Sequence, residues 1–185
     1  IEQEMRWAEQ GKPARIIAKM NSLLDRELIS KLYEASSKGV KIDLIVRGIC
    51  VLRPGITGVS ENIHVRSIVG RFLEHSRIFY FANGGEENIY ISSADWMPRN
   101  LNERVELTLP VGDASHRQRI KDILDLLLRD NQKAHIMRRD GIYRKSDKRS
   151  KSVNSQKVLM DLAISAAKVE ELSIEQRLRP RSRLE

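Results

Sequence analysis

His75 precedes Arg77 by two residues in the run His75-Ser-Arg-Ile-Phe-Tyr-Phe, and past Asn83-Gly84-Gly85 the chain returns with Ser92-Ser93-Ala94-Asp95-Trp96 and then Arg99 to Glu106. These residue types at this spacing suit phosphoryl transfer. An imidazole titrates near neutrality, so it can attack phosphorus as the neutral base or release a proton as the cation. Most of what a protein adds to such a transfer is electrostatic, with cations set against the equatorial oxygens over which charge spreads. Arg47, Arg77, Arg99 and Arg104 are the candidate cations, because a guanidinium is permanently charged and forks onto two oxygens. Ser92 and Ser93 can add neutral donors, and Asp95 can orient an imidazole or an arginine.

Each of these residues has a plainer reading. A lone histidine in an apolar stretch is commonly a hydrogen-bonded structural residue, and an arginine at a strand end is commonly an ion pair. Glu74 and Glu103 are sequence neighbours that Arg77 and Arg99 can face. Trp96, Phe79 and Phe81 read as core rather than as stacking platforms. His64, His116 and His135 lack the company of His75 and read as surface residues.

The elements that must position these groups follow from periodicity. Ala14 to Met20 is an apolar run suited to a buried strand, and Asp25 to Lys38 has Leu28, Ile29, Leu32 and Ala35 at helical spacing, with Asp25 as cap and Gly39 as stop. Lys41 to Val46 is a second strand. Strand, helix and strand with short connections predict a right-handed βαβ unit and a mixed, largely parallel core sheet flanked by helices. Ligands on such sheets gather at the carboxyl ends of strands, where Arg47 stands. Further strands are expected at Ile63 to Ile68, His75 to Ala82, Glu87 to Ser92 and Arg104 to Leu109, with a helical turn or two before Glu74. Glycines at 84 and 85 suit the tight turn of the hairpin. Asp113 to Asp130 is a helix with its stripe on Ile120, Ile123, Leu124, Leu127 and Leu128. Met137 to Asn154 is polar enough to read as mobile or extended, Lys157 to Leu172 as a last amphipathic helix, and Arg177 to Glu185 as frayed.

With 185 residues the chain is long enough for one self-sufficient core. It reads as a piece of a longer protein, since residue 1 is Ile and the opening Glu-Gln-Glu-Met-Arg-Trp-Ala-Glu-Gln-Gly looks like the middle of a helix. A single cysteine, Cys50, forms no internal disulfide, and no signal peptide or apolar run of about 18 residues or more is present. A cytoplasmic setting follows as the expectation. The net charge of +8 is uneven: residues 1–130 hold 19 Lys and Arg against 18 Asp and Glu, and residues 131–185 hold 14 against 7. Such a tail is a solvated surface or an attractor of polyanions.

His75-x-Arg77, the hairpin, and then Ser92-Ser93-Ala94-Asp95 and Arg99-Asn100-Leu101 resemble the phospholipase D superfamily pattern H-x-K-x4-D followed by G-S-x-N. Arg77 replaces the lysine, Ala82 stands where the aspartate falls, and Asp95 replaces the asparagine. These departures count against a hydrolytic phosphodiesterase or nuclease, which stays as one alternative. A non-catalytic polyanion-binding module is another. Longer strings are narrower: Leu73 to Gly85, Tyr90 to Glu106, and Ile45-Val-Arg-Gly-Ile-Cys together resemble the C-terminal catalytic domain of bacterial polyphosphate kinases.

That resemblance implies a phospholipase D-like half-domain over residues 1–130, with a basic, partly helical C-terminal extension of the same domain over 131–185. It implies reversible transfer of the ATP γ-phosphoryl group to inorganic polyphosphate, through a phosphohistidine on a preceding domain that is not in this chain. His75 matches a second family histidine, a general acid for the departing oxygen, and Arg47 and Arg104 match arginines that bind nucleotide or phosphate. Arg77, Arg99, Ser92, Ser93 and Asp95 are supporting candidates. Mg²⁺ is expected for the whole enzyme, with no convincing carboxylate pair for it in this sequence. The partners implied are ATP, ADP, polyphosphate, the enzyme's other domains and further copies of it, with peripheral membrane association possible and no nucleic acid expected.

Overall fold

The computed structural model describes residues 1–146 and 151–178, with side chains of the last helix through residue 168. In chain order the elements are α1 (Glu2–Glu9), β1 (Arg15–Met20), α2 (Arg26–Ser37), β2 (Lys41–Val46), β3 (Ile63–Ile68), β4 (Arg77–Phe81), a 3₁₀ turn (Asn83–Gly85), β5 (Asn88–Ser92), α3 (Pro98–Asn102), β6 (Thr108–Pro110), α4 (Ala114–Arg129), β7 (Ala134–Met137), β8 (Tyr143–Lys145) and α5 (Ser155–Leu178). The strands form one eight-stranded sheet in the order β6-β5-β4-β1-β2-β3-β7-β8.

The central strands are buried on both faces, and the period of two sorts their side chains. Ile16, Ala18 and Met20 of β1, with Ile42, Leu44 and Val46 of β2 and Ile63 and Val65 of β3, pack against Ile29, Leu32 and Ala35 of α2 and Met5 of α1. Ile17, Ile45 and Ile68 point the other way, onto Leu124 and Leu127 of α4. Helices on both faces of a sheet give three layers. Asp25 caps α2 as expected, its carboxylate accepting from the Leu28 amide at 2.9 Å.

The sheet is mixed, but its parallel part is confined to β1–β2 and β2–β3; the β4, β5, β6, β7 and β8 pairings are all antiparallel. Parallel pairing is therefore the centre of the sheet and not most of it. The βαβ unit requires parallel neighbours, whereas the short β4–β5 and β7–β8 connections permit only antiparallel ones.

Three local expectations change. The helical turn before Glu74 does not form. Instead the Gln156 side chain of α5 grips the chain, accepting from the Phe72 amide at 2.9 Å and donating to its carbonyl at 2.8 Å. Gly70 permits this approach, since a Cβ there would run into the Gln156 amide. The strand expected from Arg104 starts only at Thr108, paired with Ser92. Glu106, just before it, turns back onto Ser93 and Asn100. The stretch read as mobile or extended holds β8, which forms a hairpin with β7 and carries the sheet outward from β3. Residues 147–150 and 179–185, part of the basic stretch and of the frayed end, lie outside the described residues.

At the hairpin, Asn83, Gly84 and Gly85 all have positive φ, at 46°, 66° and 110°. Gly84 is further constrained, because a Cβ would sit 3.0 Å from the Trp7 ring. Glu4 of α1, only 1% exposed, accepts from the amides of Asn83 and Arg15 at 2.7 and 2.9 Å. The first helix is thereby tied to both the hairpin and β1.

Asp130 plays the same part for α5. Its Oδ1 accepts from the amides of Gln132, Lys133 and Ala134, and its Oδ2 from the Ser155 amide and hydroxyl at 2.8 and 2.6 Å. Burial alone would push this carboxyl up, yet the Ser155 hydroxyl and the amides together leave it below its ordinary value. Asp130→Asn turns an NH₂ toward some of these donors. We expect it to cost about 2 kcal/mol, seen as a melting point lower by roughly 4 to 8 °C.

Candidate phosphoryl-transfer site

The sheet order brings distant segments to one edge. Because β1 and β2 are parallel and β4 is antiparallel to β1, the ends of β1 and β2 and the start of β4 lie together, with β5 ending beside them at the pair Arg77 and Ser92. Asn21 follows β1, Arg47 follows β2, His75 precedes β4, and Asp95 follows β5. Loop contacts lock this arrangement: the Leu23 amide donates to the Ile49 carbonyl and the Leu24 amide to the Trp96 carbonyl, both at 2.9 Å. Trp96 itself is buried and stacks on Phe79 with centroids 4.9 Å apart, a core role.

A continuous chain of hydrogen bonds crosses the edge. The Arg47 Nε donates to Asn21 Oδ1 at 3.0 Å. The Asn21 amide donates to Asp95 Oδ1 at 2.6 Å, and Arg77 forks onto the same carboxylate through Nε at 3.2 Å and its terminal nitrogen at 3.0 Å. The other guanidinium nitrogen of Arg77 meets His75 Nδ1 at 2.8 Å and the His75 carbonyl at 2.9 Å. His75 is exposed and Arg47 half-buried, while Asp95 is buried. Burial would raise the Asp95 carboxyl, but Arg77 and the amides of Asn21 and Ser22 hold it below its ordinary value. It is therefore an anion that aims Arg77.

Arginine has donors and no acceptor. In this arrangement the Arg77 guanidinium faces both ring nitrogens of His75, Nδ1 at 2.8 Å and Nε2 at 3.5 Å.

The remaining candidates are placed differently. The Ser92 hydroxyl is engaged with the Leu107 carbonyl and with Thr108, and the Ser93 hydroxyl with Glu106 and the Leu107 amide. Both anchor the segment after α3. Arg99 and Arg104 are exposed, and neither guanidinium hydrogen-bonds within the described residues. Glu106 is held below the usual carboxylate range by Ser93 and Asn100 first, then by the charges of Arg104 and Arg77. Arg104 thus shares the electrostatic surroundings of Arg77.

Two residues escaped the sequence reading. Asn21 is 6% exposed, bridges Arg47 to Asp95, and keeps its buried Nδ2 without an acceptor among the described residues. Lys19 is 3% exposed, with its ammonium on Ser76 and near Glu74. The available signal was polarity at the end of an apolar run: Lys19 is the one charged residue in Ile16 to Met20, and Asn21 ends it.

The fold defines a phospholipase D-like α/β domain. NucT from Helicobacter pylori superposes with a TM-score of 0.50 at 14% identity, covering 68% of this chain and 89% of that one. Nuc from Salmonella typhimurium, a phospholipase D family member, superposes at 0.52 with 10% identity, covering 73% and 88%. At such identity the likeness is one of fold alone. A solved polyphosphate kinase from Porphyromonas gingivalis superposes far better, with a TM-score of 0.85 and 43% identity over 91% of this chain and 26% of that one.

The family model described as polyphosphate kinase C-terminal domain 2 matches residues 1–156, so the chain belongs to the polyphosphate kinase C-terminal domain family. Polyphosphate kinases from an Exiguobacterium strain and from Pseudomonas putida are 55% and 59% identical over 86% and 79% of this chain. The chain spans 22% and 20% of those two proteins.

Proposed function

We propose that this chain supplies one half of a polyphosphate kinase active site, which moves the ATP γ-phosphoryl group reversibly onto inorganic polyphosphate. The observation that carries the reading is the hydrogen-bonded chain from Arg47 through Asn21, Asp95 and Arg77 to His75. It sets two cations and an imidazole at one sheet edge. In the forward direction a histidine on a preceding domain attacks the γ-phosphorus. A nitrogen–phosphorus bond forms, the bond to the bridging oxygen breaks, and that oxygen leaves on ADP. His75 gives it a proton, and Arg47 with Arg104 holds the phosphate oxygens.

For His75 to act as an acid its ring must carry a proton on both nitrogens, which means turning away from the Arg77 donors that face them. Its exposure leaves room for the turn. A bound polyphosphate or triphosphate, strongly anionic, draws both the guanidinium and the imidazolium toward itself.

Among the described residues no three His, Cys, Asp or Glu side chains gather to hold a metal ion. The chain's own contribution is its cations and its imidazole. No described helix is long and apolar enough to cross a membrane. A cytoplasmic enzyme of several copies, able to sit on the inner membrane face, fits the basic tail, and that tail can guide the polyanionic product.

With ATP and Mg²⁺, the protein that contains this chain and the preceding phospholipase D-like half is expected to form polyphosphate. The 185-residue chain alone is expected to form none and to take no covalent label from γ-labelled ATP. Strong phosphohistidine on the isolated chain would overturn the division of roles.

A further inference from the structure

Lys19 is the least expected residue of the interior. It lies on the α4 side of β1, the face on which Ile17, Ile45, Ile68 and Leu127 pack together. A leucine or methionine would fill such a place without the cost of stripping water from an ammonium. Lysine is almost never fully buried unless its charge is matched.

Here three oxygens surround it. Nζ donates to the Ser76 carbonyl at 3.0 Å, meets the Ser76 hydroxyl at 2.8 Å, and lies 3.6 Å from a Glu74 carboxylate oxygen. An ammonium has three donors to give. The two residues it holds are the immediate neighbours of His75, one on each side. They belong to a segment with no helix or strand of its own between Ile68 and Arg77. Burial lowers the Lys19 ammonium from its ordinary value, Glu74 opposes this, and Arg77 and Arg47 add to the lowering.

We propose that Lys19 is a positioning residue for His75, clamping Glu74 and Ser76 so that the imidazole is presented at the same edge as Arg47. The proposal rests on the role given to His75 above. Arg77 and Asp95 hold the ring from one side, and Lys19 fixes the backbone beneath it from the other.

The test is Lys19→Met in the full-length enzyme, which keeps the volume and removes the charge. Turnover is expected to fall roughly 10- to 100-fold, the range for losing a group that orients a reacting one, while KM for ATP changes less than about threefold. Ser76→Ala is expected to have a smaller effect that does not add to that of Lys19→Met. Hydrogen exchange supplies a readout independent of the reaction. The amides of Ile78 and Phe79, held by β1 and β5 at the start of β4 just after the clamped segment, should exchange at least about tenfold faster in Lys19→Met, with those of β2 unchanged.

Faster exchange in both segments would mean general loosening and would overturn the proposal, as would unchanged exchange at Ile78 and Phe79 or unchanged turnover. An unmodified enzyme that makes no polyphosphate from ATP would refute the reaction assigned to it, while the exchange experiment would still decide for or against the clamp.

Discussion

His75→Ala in the full-length enzyme is expected to lower turnover roughly 10²- to 10⁴-fold, the usual loss when a general acid is removed. That corresponds to about 3 to 5 kcal/mol of transition-state stabilisation. Stability should hardly change, because the side chain is exposed and Arg77 keeps both Asp95 and the residue 75 carbonyl as partners. The same exposure makes the loss partly reversible, and free imidazole in the assay is expected to restore some activity. Turnover within threefold of the unmodified enzyme, with normal folding, would remove His75 from the chemistry.

Asp95→Ala is expected to have the largest effect on stability. The carboxylate is 6% exposed and accepts from the Asn21 amide and twice from Arg77. The Arg77 side chain is itself only 11% exposed, so removing the anion leaves a largely buried cation unpaired. Breaking a buried pair from one side costs about 3 to 5 kcal/mol, and a thermal melt should fall by roughly 6 to 20 °C. Activity should fall with it, because Arg77 loses its aim at His75.

The pH dependence has a definite sign. Arg77 and the amides outweigh burial and hold the folded carboxyl below its ordinary value. Its contribution is therefore fully present above the unfolded value of about 3.9 and disappears as pH falls through the lower folded one. Asp95→Asn should flatten this part of the acid-unfolding curve. An unchanged acid limb would mean that the carboxylate contributes nothing to it.

Much of the fold was legible because its signals are local. β1, α2, β2, β3 and α4 show as apolar runs or helical stripes, and their observed limits lie close to those expected. The errors fall where long-range contacts decide. Residues 69–74 look helical alone, but Gln156 holds them open. Residues 137–154 look too polar for a core, yet β3 offers an unpaired edge that β7 covers, and β8 within that stretch pairs with β7. A strand needs only one apolar face to be stable at an edge.

The site divided along the same line. His75, Arg77 and Asp95 announce themselves by type and spacing, and the structure joins them; Arg47 joins through Asn21, which no spacing suggests. Ser92 and Ser93 carry hydroxyls that read as phosphate donors but are engaged with the segment from Glu106 to Thr108.

By itself, then, the sequence determined the family and the central strands, since these rest on residue strings and short-range periodicity. Only the tertiary structure decided which cation faces which anion and which buried lysine underlies the histidine. The bonds involved join residues 18, 57 and 74 positions apart. Such contacts exist because β4 lies antiparallel against β1 and because one register, with Lys19 opposite Ile78, brings the end of one strand to the start of the other.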